Sequence, residues 1–244
     1  ADVADAFLMH NRPIARPIDD SVVFTFRGDV VPLRRARGYA PRALTIAAAA
    51  RPAGQGGDPC VLATGGDLKA TVCLWRDGTA VLSEHLGDLA HPAAWRHYQD
   101  AVARLQQLLQ FTPDVVACDR HPRYFSGGYA QSRTERRIDV QHHHAHIAAL
   151  LAEWGTLGPV LGISCDGTGF GDDGTIWGGE LLLCARDACE RVGHIATFPL
   201  VGGDLAAVET WRPAAALCRQ AFGADWLTQV AAANVICPGP EPPT

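Results

Sequence analysis

The chain has 244 residues, 48% of them hydrophobic, with a formal net charge of −5 and a pI near 6.0, enough for one sizeable buried core or two small ones. That charge gives no global electrostatic reason to bind nucleic acid or an anionic membrane surface. No run of about 18 apolar residues marks a membrane span, and ADVADAFLMH lacks the basic-then-apolar order of an export signal.

The eight cysteines stand singly at 60, 73, 118, 165, 184, 189, 218 and 237, with no CxxC pair. This argues against a zinc ribbon or a disulfide framework and predicts reduced, mostly buried thiols. At the start, the Pro-rich HNRPIARPIDDSV leads into the alternating VVFTF, which suits a strand. Residues 1 to 44 read as the tail of a preceding domain, and TIAAAARPAGQGGDP, residues 45 to 59, has the composition of a linker.

From Cys60 the pattern predicts an antiparallel meander: CVLAT, the polar turn GGDLK, ATVCLW, the turn Arg76-Asp77-Gly78, and TAVLSEHL. HPAAWRHYQDAVARLQQLLQ then puts Trp95, Tyr98, Val102, Leu105, Leu108 and Leu109 on one helical face. Two strands, VVACD and RIDV, precede a helix HHHAHIAALLAEW. The plan restarts at Pro159 with VLGISCD, the turn GTGFGDDGT, IWGGELLLC and RVGHIATF before a helix from about Thr210 to Phe222. Residues 60 to 157 and 158 to 244 are therefore read as two copies of one unit, the second incomplete. The expected class is α/β, a duplicated mixed sheet of the actin, hexokinase and Hsp70 type.

In QHHHAH, His142 and His146 are four apart, which on a helix puts both imidazoles on one face within reach of one metal ion. A solvated or helix-capping cluster competes with that reading. Asp166, read as ending a strand and starting DGTGFG, is the candidate third ligand of a site suited to iron, zinc or manganese; alternatively it initiates a turn. Gly167 and Gly169 allow close approach of a phosphate, as do Gly65, Gly66 and Asp67 in the matching turn. Lys69 offers a cation for a phosphate or acyl oxygen, or simply faces solvent. Arg34, Arg35 and Arg37 form a cluster capable of phosphate contacts, or a solvated basic edge. The loop with Gly202, Gly203 and Asp204 closes over a ligand or merely connects.

LMHNRPIARPIDDSVV, LRRARGYAPRAL, GGDLKATVCL, HHHAH, DGTGFGDDGTIWGGE and GGDLAAVETW occur in the order found in the hydrogenase-maturation carbamoyltransferases of the HypF type, which the chain resembles over nearly its whole length. The resemblance implies the end of a YrdC-like adenylate-forming domain followed by the first part of the carbamoyl-transfer domain. It implies that carbamoyl phosphate and ATP give a carbamoyl-adenylate, and that the carbamoyl group passes to the C-terminal cysteine of a partner, HypE, to become a cyanide ligand of the nickel-iron centre. It makes His142, His146 and Asp166 ligands of a divalent metal, iron or zinc, and admits Mg. It gives Lys69 and Asp166 catalytic roles, assigns residues 202 to 204 to the adenylate, and implies a cytoplasmic protein.

The family's acylphosphatase-like domain, its paired CxxC fingers and its last metal-binding aspartate have no counterpart in these residues, so a fragment inactive by itself is expected. A HypE-binding fragment without catalysis and a sugar O-carbamoyltransferase are the alternatives. In the sugar enzymes the YrdC-like part would follow the transfer domain, not precede it.

Overall fold

The computed structural model describes residues 5 to 46, 59 to 156 and 158 to 232. A largely exposed hairpin of β1 (Val22–Phe26) and β2 (Asp29–Arg34) comes first, then the short β3 (Ala43–Thr45). β4 (Val61–Ala63), β5 (Cys73–Arg76) and β6 (Thr79–Leu82) form the expected meander. Asp77 and Gly78, at φ 49° and 75°, make the whole β5–β6 connection, a left-handed pair whose twist matches that of the strands it joins.

After α1 (Pro92–Leu108) come β7 (Val115–Asp119), α2 (Phe125–Gln131) and β8 (Arg136–Val140). β7 lies parallel to β4, and β8 parallel to β7, giving the order β3-β6-β5-β4-β7-β8. α1 buries Tyr98, Val102 and Leu105 against Leu62, Leu74 and Val116 of the sheet. Leu108, expected on that face, is 65% exposed at the helix end. The buried Tyr98 hydroxyl donates to the Thr64 carbonyl at 2.9 Å, the partner a phenol needs when it leaves water.

Part of the N-terminal segment joins this sheet. β3 pairs antiparallel with β6, so Thr45, expected to open the linker, is strand. Residues 47 to 58 of that linker lie outside the described residues. Arg16 reaches the buried Glu84 at 3.7 Å, beside Arg104 at 3.0 Å and His97 at 3.2 Å, and His85 donates its backbone N–H to the Arg35 carbonyl. A carboxylate removed from water requires such countercharges, and one of them comes from the N-terminal segment.

The second copy begins after α3 (His142–Trp154), which Gly155 ends in the left-handed conformation. β9 (Val160–Phe170), β10 (Ile176–Cys184) and β11 (Cys189–His194) form a second meander, order β11-β10-β9. α3 packs Ile147 and Leu151 on Trp177, Leu182 and Cys184. The helices α4 (Leu205–Val208), α5 (Trp211–Phe222) and α6 (Trp226–Ala232) follow. Cys184 and Cys189 stand opposite each other in the β10–β11 register and are joined as a disulfide. This corrects the expectation of reduced thiols throughout: antiparallel pairing brings two cysteines face to face that sequence spacing treats as unrelated. Among the described residues no helix is long and apolar enough to cross a membrane.

Candidate metal centre

The parallel pair β7 and β8 ends with Asp119 opposite Val140, and ligands in open α/β sheets gather at such strand ends. Gln141 then caps α3, its side-chain oxygen accepting the His144 N–H at 2.8 Å, so the histidines open the helix, His142 and His146 one turn apart. From the second copy, β9 carries Asp166 toward them. Asp166 was expected to start a turn, but the strand continues to Phe170, and the β9–β10 register slips between Trp177 and Gly179. The irregularity lies opposite Asp166 and re-aims it, as bulges beside functional sites do. The true turn runs from Gly171 to Thr175, closed by the Gly171 N–H to the Thr175 carbonyl.

One ligand atom each from His142, His146 and Asp166 lies within 4.8 Å of the others. Nε2 of His142 is 3.0 Å from Oδ2 of Asp166 and 3.3 Å from Nε2 of His146, which is itself 3.7 Å from that oxygen. Asp119, not singled out from the sequence, places Oδ2 2.6 Å from Nδ1 of His142. Its hydrogen bond is the main reason the His142 imidazole is held above its ordinary pKa, against the opposing effect of burial. With its Nδ1–H given to Asp119, His142 turns Nε2 to Oδ2 of Asp166, where it either pairs as an imidazolium or, once deprotonated, can share a cation with that carboxylate. Asp166 presents Oδ2 to the imidazoles, while its Oδ1 accepts the Gly167 N–H at 2.7 Å. Two imidazole nitrogens and one carboxylate oxygen fit iron or zinc.

The surroundings are aromatic. His121 stacks on Tyr124 at 4.0 Å between centroids and meets Phe170 edge-on at 5.7 Å. Burial lowers the His121 imidazole and pushes the Tyr124 phenol up to about 12. Tyr124 also lies 3.8 Å from where a side chain on Gly66 would begin, so the first polar turn borders the site.

Other expected site residues have different partners. Both oxygens of Asp67 accept N–H groups of α2, from Phe125 at 2.7 Å and Ser126 at 3.0 Å, which makes it a helix cap rather than a free phosphate contact. Gly65 is held at φ 70° with Thr71 close behind it. Gly169 is the close approach through which His142 and His143 pass β9: a Cβ there would lie 2.4 Å from His143. Lys69 is exposed, and its charge, after burial and Arg34, helps lower His85. Arg34 faces Asp19 at 3.8 Å, Arg37 faces Asp20 at 3.1 Å, and Arg35 contributes its carbonyl to His85. Gly202 and Gly203 turn the chain at positive φ before Asp204 and α4; none of the three is among the groups that converge on Asp166.

The fold is that of a Kae1-like domain in two subdomains. The family model of the HypF Kae1-like domain matches residues 56–153, and that of the second subdomain of the carbamoyltransferase Kae1-like domain matches residues 162–238. Carbamoyltransferase HypF2 of Cupriavidus necator is 49% identical over 224 residues, 88% of this chain and 26% of the relative. Carbamoyltransferase HypF of a Synechocystis species is 42% identical over 226 residues, 92% of this chain and 29% of the relative. The crystal structure of full-length HypF in its phosphate- and nucleotide-bound form superposes with a TM-score of 0.78 at 40% identity, covering 88% of this chain and 33% of that one. HypF of T. kodakarensis gives 0.78 at 31% identity, covering 91% and 28%. The chain belongs to the HypF family and spans about a quarter to a third of the length of these relatives.

Proposed function

We propose that the chain carries the carbamoyl-transfer site of nickel-iron hydrogenase maturation. In this reading it takes a carbamoyl group from carbamoyl-adenylate, made from carbamoyl phosphate and ATP, and delivers it in the cytoplasm to the C-terminal cysteine thiol of HypE. The carbon–sulfur bond forms as the carbon–oxygen bond to AMP breaks, and the thiol proton leaves to solvent. Convergence of His142, His146 and Asp166 at the meeting of the two copies, in a chain of the HypF family, carries this reading; the nucleotide-bound relative supports the adenylate.

His142, His146 and Asp166 would hold a divalent iron or zinc ion, which when bound supplies a Lewis acid for a carbamoyl or phosphate oxygen. Asp119 fixes the His142 ring so that Nε2 faces the site. The protonated Tyr124 phenol and the His121 and Phe170 rings form a wall that keeps water from one side of an acyl group. Lys69 is assigned a cationic role toward phosphate, with Gly65, Gly66, Gly167 and residues 202 to 204 around the adenylate.

The test is incubation of the metal-loaded chain with HypE and an intact YrdC-like domain supplied with ATP and carbamoyl phosphate, read by the intact mass of HypE. Carbamoylated HypE is expected with the parent and not with Asp166→Ala or the double variant His142→Ala, His146→Ala. Loss of transfer in Lys69→Ala with metal retained supports its separate role. HypE that binds the folded parent but stays unmodified overturns the catalytic reading in favour of a docking fragment.

A further inference from the structure

One of the four histidines is placed differently from the rest. His143 is fully buried, clamped between the near-parallel Trp177 ring, 6.1 Å away between centroids, and Gly169. The network around it fixes where its proton lies. The His144 backbone N–H can only donate, so the Gln141 atom 2.8 Å from it is the amide oxygen. The amide nitrogen then faces the Phe170 carbonyl at 3.2 Å, which can only accept, and Nδ1 of His143 at 3.2 Å. An amide nitrogen only donates, so Nδ1 of His143 accepts and the hydrogen of the neutral ring sits on Nε2.

That Nε2 has no hydrogen-bond partner among the described residues; Oδ2 of Asp166 lies 3.9 Å away, with Nε2 of His142 on it at 3.0 Å. A buried donor left without a partner beside a carboxylate oxygen requires an explanation. A nitrogen that carries hydrogen has no lone pair in the ring plane to give to a metal, so in this tautomer His143 is not a further ligand.

We propose that His143 is a positioning residue for the metal centre: its Nε2–H, fixed by the Gln141 amide, is aimed at Oδ2 of Asp166 and holds that carboxylate in its ligating orientation. The 3.9 Å separation exceeds a hydrogen bond, so a small shift of the Asp166 side chain completes the contact on loading. The inference rests on the reading of His142, His146 and Asp166 as ligands, but its first half concerns the metal-free protein alone.

Two measurements test it. Nitrogen-15 NMR of metal-free protein with labelled imidazoles should show His143 as the neutral Nε2–H tautomer; an Nδ1–H tautomer or an imidazolium overturns the proposal. Zinc affinity is then measured by chelator competition. His143→Gln, which restores an N–H near the position of Nε2, should stay within about 3-fold of the parent, whereas His143→Leu should lose about 10- to 100-fold, the usual range for groups behind a ligand. Equal losses in both variants, or no loss in the leucine variant, overturn the positioning role. A parent that takes up no zinc overturns the ligand reading and the role toward Asp166 with it, while the tautomer result still decides the assignment of His143.

Discussion

Oδ2 of Asp119 lies 2.6 Å from Nδ1 of His142, so the imidazole that faces Asp166 is held from behind by a second carboxylate. Because a carboxylate behind a ligating histidine sets its tautomer and raises its basicity, Asp119→Ala should weaken zinc binding about 10- to 100-fold. Asp119→Asn, which keeps an acceptor oxygen, should lose less. Competition against a chromophoric chelator measures both, and unchanged affinity in the alanine variant would remove Asp119 from the site.

Gly169 offers a steric probe of the same centre. An alanine Cβ there would sit 2.4 Å from Cε1 of His143 and 3.0 Å from Cδ2 of His142, so the rings or the strand must move. Gly169→Ala should lose bound zinc on dialysis. Gly167→Ala, whose Cβ meets nothing within 4 Å, should keep it.

Asp67 separates a structural role from a ligand-binding one. Its carboxylate caps α2 through Phe125 and Ser126, so Asp67→Ala should cost about 0.5–2 kcal/mol in urea unfolding. Asp67→Asn should recover only part of this, because asparagine keeps one acceptor oxygen and turns an amide N–H toward the second backbone donor. A stability unchanged by the alanine variant would refute the cap.

Asp173 gives a pH dependence with a defined sign. The Thr175 hydroxyl and N–H donate to it first, then the Trp177 indole, with Arg191 nearby, and together they hold its carboxyl at about 2. The unfolded value is about 3.9, so the folded state binds fewer protons in between, and the contribution is present above about pH 4 and lost as pH falls toward 2. Trp177 fluorescence in urea should show the midpoint falling over that window, and Asp173→Ala should flatten the fall.

Much was legible in the sequence because local patterns carried it. Turn residues separated the strands of both meanders, and the i, i+4 spacing of His142 and His146 put them on one helix face whatever that helix packs against. Asp166 drew notice as a carboxylate at the end of the apolar strand VLGISC, and the order of the motifs agreed with it. α2 was not legible: FSGGYAQ is short, holds two glycines and has no cap of its own, and the aspartate that caps it is 58 residues back along the chain. Nor was Asp119, although it ends a strand as a carboxylate, the same cue that drew notice to Asp166.

The sequence by itself determined which segments pair as hairpins, which helix carries the histidines and which family the chain resembles, since each depends on neighbours a few residues apart or on motif order. Only the tertiary structure decided that β3 joins the main sheet, that Cys184 meets Cys189, and that Asp166 lies in a strand rather than a turn. It alone brought Asp119 behind His142 and turned the buried His143 toward Asp166. Those relationships are set by strand register and by parallel pairing across long loops, and a one-residue change in register would send every side chain to the opposite face.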